Sequence, residues 1–149
     1  MALSEARLAF LRDDFVQGFT AYCGLEALEI DEGRLVSRVR IQPQHRQQDG
    51  FIHAGLMATL ADHSAGYAAY TLVPDDHRIL TVEFKVNFLR PASGDELICR
   101  AQVIRPGRKL LVCESAVFDR SPEGKVEVTR LLATMAAVQQ DRLARAGEG

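Results

Sequence analysis

The chain has 149 residues, with 18 basic and 20 acidic side chains and a formal net charge of -2. Both signs are interspersed along it, so it carries no electrostatic footprint for nucleic acid or for an anionic membrane surface. An apolar content of 47% allows one domain over 1–149 to bury a core, and no apolar run approaches membrane-spanning length.

The opening MALSEARLAFLRDDF carries acidic residues where a secretory signal needs a basic segment, so no targeting segment is expected. The three cysteines, Cys23, Cys99 and Cys113, are odd in number and lie among apolar residues. Such a pattern reads as reduced thiols in a cytoplasmic protein.

Ser4 is placed to cap an amphipathic helix in which Leu8, Leu11 and Phe15 share a face, within an N-terminal helical extension over 1–22 that ends near Gly18. Runs 25–30 and 35–41 alternate around Asp31-Glu32-Gly33, the signature of a hairpin. Residues 42–52 are polar, contain Pro43 and Gly50, and predict a loop.

The longest predicted helix covers 53–72. Leu56, Leu60, His63 and Tyr67 recur on it as a large-residue stripe. A neighbouring stripe of Gly55, Ala58, Thr59, Asp62, Ala65, Gly66 and Ala69 is nearly all small and suits close packing around one carboxylate. Period-two strands follow at 81–88, 97–104, 110–118 and 126–138, with Val82, Phe84, Val86 and Phe88 predicted on the buried face of the first. Glu83 is expected on the same side as Thr81. The tail from 140 to 149 is polar and predicted to fray.

This order predicts an α+β fold, a curved antiparallel sheet wrapped around one long central helix. The open edge and the small helix face left by a single sheet predict a homodimer.

Several chemistries are excluded, because there is no G-x-S-x-G, no phosphate-binding glycine loop, no H-E-x-x-H and no C-x-x-C. The four histidines lack metal-ligand spacing, so no metal and no resident cofactor is expected. One constellation remains: Gln47-Gln48-Asp49-Gly50-Phe51-Ile52-His53-Ala54-Gly55, followed by the helix that carries Asp62. A carboxylate among small, buried residues costs about 3 kcal/mol or more if unpaired, which calls either for a structural partner or for a chemical task. Backbone N–H groups at Ala54 and Gly55 lie at a helix N-terminus, where partial positive charge can hold a developing oxyanion. Asp62 lies two turns further on, too far to share a reacting atom with them, so a site using both would straddle a dimer interface.

The loop and helix resemble those of the hotdog superfamily, in particular its phenylacetate-pathway acyl-CoA thioesterase branch, with its N-x-x-G-x-x-H-G-G and L-x-D pattern. Gln47, Gly50, His53, Gly55, Leu60 and Asp62 match or approximate it. The stretch from Phe88 to Asp95 and the pair Gly107-Arg108 extend the similarity over roughly residues 33–138. The resemblance implies hydrolysis of an aryl or medium-chain acyl-CoA, CoA being part of the substrate. It implies Asp62 as nucleophile or general base, the Ala54 N–H polarising the carbonyl, and Gln47 orienting water or carbonyl from the other subunit. It further implies a hydroxyl from Thr81 beside the carboxylate, His53 shaping the loop, and a dimer of dimers. Two departures bear on substrate choice: Gln47 is one methylene longer than the usual asparagine, and Ala54 replaces the first glycine.

Other candidates carry weaker patterns. Gly55 and His63 could touch substrate, and Arg90, Arg108 and Lys109 could meet the CoA phosphates, although basic residues at strand ends also serve simply as solvated surface. On its apolar stripe His63 also fits a hydrogen-bonded core histidine, and Tyr67 and Tyr70 fit core or interface aromatics. Two rival functions fit the same residues. One is an acyl-thioester hydratase or dehydratase using His53 with Asp62, which would release no thiol. The other is a non-catalytic acyl-CoA or small-molecule binding module.

Overall fold

A computed structural model describes residues 2–148. Helices α1 (Glu5–Phe15) and α2 (Phe19–Cys23) precede strands β1 (Leu25–Asp31) and β2 (Arg34–Arg40), and a short 3-10 turn at Pro43–His45 leads to the long helix α3 (Ala54–Tyr70). Strands β3 (His77–Phe88), β4 (Glu96–Pro106), β5 (Leu110–Ser121) and β6 (Gly124–Gln139) follow, and the chain ends in α4 (Gln140–Ala146). The six strands form one antiparallel sheet in the order β1-β2-β4-β5-β6-β3. This is the predicted α+β hotdog arrangement, with the sheet curved around α3.

The Ser4 hydroxyl accepts the Arg7 N–H at 3.1 Å and starts α1. The helix stops at Phe15, and Gly18, with φ of 51°, admits the separate turn α2 where a single helix running to Gly18 is predicted. In the β1–β2 hairpin Gly33 takes φ of 72° and its N–H donates to the Thr71 hydroxyl at 2.7 Å, fastening the hairpin to the end of α3.

Against the sheet α3 presents Leu56, Leu60, Ala61, Ser64, Ala65 and Ala68, all buried. Its small residues permit two direct polar ties: Ser64 and Ser37 hydroxyls lie 2.6 Å apart, and the Ser115 hydroxyl donates to the Ala61 carbonyl at 2.8 Å. Both ties satisfy groups that would otherwise be stranded in the core. The large stripe of the sequence divides between two layers. Leu56 and Leu60 face the sheet, while His63 and Tyr67 lie under α1, their rings 4.5 and 5.1 Å from that of Phe15.

Two expectations about β3 are corrected. As an edge strand it is exposed along most of its length, so Val82, Phe84 and Phe88 are 57%, 40% and 44% exposed instead of lying in a buried face. A bulge between Thr81 and Glu83 also inverts the alternation. Thr81 opposes the buried Met135 beneath the helix, whereas Glu83 opposes Thr134 on the outer face and accepts its hydroxyl at 2.5 Å. Residues 140–146, expected to be irregular, form α4, in which no residue is buried.

The cysteines Cys23, Cys99 and Cys113 are buried and free. Among the described residues no helix is long and apolar enough to cross a membrane.

Candidate active site

Asp62 lies midway along α3, half-buried on the face that turns from the sheet toward the β3 edge. The Thr81 hydroxyl donates to its Oδ1 at 2.8 Å. The bulge that follows Thr81 is thus what lets an edge strand deliver a hydroxyl to the helix while Glu83 stays outside. Burial raises the Asp62 carboxyl above its ordinary value, partly countered by the Thr81 hydrogen bond and the nearby His63 ring.

His63 Nε2 lies 2.8 Å from the Phe15 carbonyl, which can only accept, so Nε2 carries the proton and Nδ1 of the neutral ring does not. Burial lowers the His63 pKa and so favours the neutral ring, although its hydrogen bond to Phe15 and the Asp62 and Asp14 charges act in the opposite direction. The Tyr67 hydroxyl binds Asp14 at 2.8 Å, and burial with that contact raises its pKa. Arg78 donates to the Tyr70 hydroxyl, and its guanidinium lies over the rings of Phe10 and Tyr70 at 5.5 and 5.8 Å. Asp62, His63, Tyr67, Tyr70, Arg78 and Thr81 share the wall of a cavity of about 580 Å³, closed on one side by α4.

A second cluster forms around the loop that starts α3. Arg46 and Ile52 make an antiparallel bridge, the Gln47 N–H donates to the Phe51 carbonyl at 2.8 Å, and Gly50 turns the chain with φ of 87°. The Arg46 guanidinium holds the Gly50 and Gly94 carbonyls at 3.0 Å each, tying the loop to the turn before β4. His53 caps α3: its backbone N–H is held by the His45 carbonyl at 2.9 Å, and its Nδ1 accepts the Gly55 N–H at 2.8 Å. A Cβ on Gly55 would meet that ring nitrogen at 2.9 Å, which accounts for glycine there.

Of the two N–H groups expected to be open at this helix start, Gly55 is therefore spent on His53. The exposed Ala54 N–H has no hydrogen-bond partner among the described residues. Gln47 Oε1 accepts the Asp49 N–H, which leaves its Nε2 group to donate elsewhere. Gln47, His53, Ala54, Met57, Phe88 and Arg90 line a cavity of about 600 Å³ distinct from the one at Asp62.

Within one chain the candidates thus fall into two groups. Asp62, Thr81 and His63 are together, Gln47, His53, Ala54 and Gly55 are together, and eight residues of helix, about 12 Å of rise, separate Ala54 from Asp62. Arg90 follows the C-terminal end of β3 beside the loop cluster, whereas the exposed Arg108 and Lys109 occupy the β4–β5 turn at the opposite end of the sheet. The chain does not bring these three basic residues together. Tyr67 and Tyr70 line the Asp62 cavity as well as packing on α1, a role their stripe positions did not reveal. Arg78, Arg46 and Leu143 carry no sequence signal that separates them from surface residues. Among the described residues no cluster could hold a metal ion.

Comparison with known proteins places the chain in a family. The thioesterase superfamily profile matches residues 49–125, just over half of the chain. A thioesterase family protein of Silicibacter pomeroyi has a solved structure that superposes with a TM-score of 0.84 at 35% identity, over 87% of this chain and 96% of that one. A phenylacetic acid degradation protein of Thermus thermophilus shares the fold, with a TM-score of 0.70 at 20% identity, over 79% of this chain and 96% of that one. The 1,4-dihydroxy-2-naphthoyl-CoA hydrolase of Listeria monocytogenes is 23% identical over 104 residues, 70% of this chain and 85% of that protein. The chain belongs to the thioesterase superfamily, the thioester hydrolases of the hotdog fold.

Proposed function

We propose that the protein hydrolyses acyl-CoA thioesters carrying an aryl or medium-chain acyl group, with Asp62 as nucleophile or general base. The observation that carries this reading is the Thr81–Asp62 hydrogen bond, a half-buried carboxylate with raised pKa held in one orientation at the mouth of a cavity. Ionised Asp62 either attacks the thioester carbonyl, expelling the CoA thiolate and leaving an anhydride for water to cleave, or takes a proton from the attacking water. The carbonyl oxygen needs a donor, and the one open donor of the helix start is the Ala54 N–H, about 12 Å away along α3 in the same chain.

A second copy supplies it. The exposed edge of β3, with Val82, Phe84 and Phe88, offers ladder groups and apolar surface for antiparallel pairing of two copies. Two-fold pairing brings the Ala54 N–H, His53 and the Gln47 amide of one copy toward Asp62 of the other. The oxyanion then sits on the Ala54 N–H, Gln47 orients water or carbonyl, and His53 fixes the loop by its cap. Arg90 of one copy and Arg108 and Lys109 of the other converge as a site for the CoA phosphates. A dimer of dimers and a cytoplasmic setting complete the reading, supported by family likeness and by the free cysteines.

The test follows thiol release from a panel of aryl and aliphatic acyl-CoA thioesters with wild type and Asp62→Ala of matched oligomeric state. A loss of about two orders of magnitude, roughly 2.7 kcal/mol of transition-state stabilisation, supports the carboxylate mechanism. Binding without thiol release would favour a hydratase or a binding module instead.

A further inference from the structure

The cavity that begins at Asp62 has a definite far end. It runs past Gly66 and Tyr67 to Tyr70, about 12 Å of helical rise from the carboxylate, with Ile79 and Leu80 of β3 on its flank. Its last wall is α4, which contributes Gln140, Leu143 and Ala144. These three stand at i, i+3 and i+4 and so share one helix face. The opposite face, Asp141, Arg142 and Arg145, is solvated.

No residue of α4 is buried, and Leu143 is its one half-buried side chain. Apart from the chain connection, the helix is held at its base by the Gln140 N–H on the Asp76 carbonyl at 2.8 Å. A helix with so little of its own in the core adds little to stability. What it does contribute is a wall of the cavity.

We propose that the acyl group of the substrate lies in this cavity, and that α4, through Leu143, closes its far end and sets the longest acyl chain accepted. This rests on the hydrolase reading above, since the carbonyl must sit at Asp62 for the acyl group to extend along α3. The lining suits an apolar tail. Its charged members are already engaged, Asp14 by the Tyr67 hydroxyl and Arg78 by the Tyr70 hydroxyl and the Phe10 and Tyr70 rings, so an apolar tail beside them strands no charge.

The experiment measures kcat/KM over a series of straight-chain acyl-CoA thioesters of increasing length for wild type, for a chain ending at Gln139, and for Leu143→Trp and Leu143→Ala. Removing α4 or trimming Leu143 raises the ratio of longer to shorter substrates by about tenfold, and Leu143→Trp moves the same ratio in the opposite direction by a similar factor. A length profile unchanged in all three variants overturns the proposal. So does a change by one common factor at every length, which would mean that α4 touches the CoA arm or merely supports the fold. If wild type hydrolyses no member of the series, the affinity of each acyl-CoA is measured in its place. A length cut-off in binding that follows Leu143 then upholds the pocket while the hydrolase reading fails, and its absence overturns both.

Discussion

The middle and the start of α3 solve opposite problems. At Asp62 a charge is withdrawn from water and oriented by one hydroxyl, under a roof of Phe15, His63 and Tyr67. At Ala54 a neutral backbone donor is left in the open, while the neighbouring Gly55 N–H is consumed by the His53 cap. The first region stores reactivity by burial, and the second stores it by denying its donor an internal partner. In the proposed function neither half is a hydrolytic site alone, and the comparison then describes two unlike half-sites that two copies complete reciprocally.

The sharpest way to break that comparison is to kill each half separately and then mix the chains. Ala54→Pro removes only the N–H of the first helical residue, a position that tolerates proline, and His53 before it is already extended with ψ of 133°. Homo-oligomers of Asp62→Ala and of Ala54→Pro are expected to lose about two to three orders of magnitude in kcat. Co-refolded in equal amounts they should recover about a quarter of wild-type activity, since half of the random dimers regain one of two sites. A site contained within one chain would give no recovery.

A smaller effect separates the role of Thr81 from that of the carboxylate. In the proposed mechanism ionised Asp62 is the working form, and burial raises its pKa, so kcat/KM should rise with pH through a limb above the ordinary aspartate range. The Thr81 hydrogen bond opposes that shift. In Thr81→Val the limb should therefore move to still higher pH, with activity recovering at alkaline pH; a fall in activity of equal size at all pH values would refute the assignment.

The smallest effect is on stability. A carboxylate with raised folded pKa disfavours the folded state once it ionises, so Asp62→Asn should unfold later than wild type near neutral pH, by about 0.5–2 kcal/mol. The advantage should vanish as the pH falls below the unfolded aspartate pKa, where both side chains are neutral. Denaturant titrations at two pH values check it. The loop half predicts no such gain, because no buried charge is involved.

Periodicity revealed most of this architecture. The 3.6-residue repeat on α3 and the two-residue repeat of the later strands made the helix and the sheet legible, and Gly33 marked the hairpin. Asp62 stood out as an anomaly on a small-residue stripe and Ala54 and Gly55 as a helix start, whereas Gln47, His53 and Thr81 came from the family resemblance. What could not be read were features in which tertiary contacts outrank local pattern. That β3 lies at the sheet edge is set by strand order, so its alternating apolar residues gave no warning of exposure. The Gly55 N–H looked as open as that of Ala54, since only the rotamer of His53 decides which is spent. Arg78 and Leu143 become part of a cavity wall only when α3, β3 and α4 come together, and no spacing within any one of them announces it.

The bulge after Thr81 has a consequence for how this strand can change. Strands tolerate substitution far more readily than loss of a residue, because the side-chain period is two. Here the relation is peculiar: deleting Val82 would heal the ladder into regular pairing and leave every candidate side chain in the protein. It would also leave Thr81 and Glu83 as neighbours, which strand alternation already sends to opposite faces, so the hydroxyl stays on Asp62 and Glu83 stays outside. The irregular residue therefore adds length and not phase, one residue between the segment that meets α3 and the segment that forms the open edge.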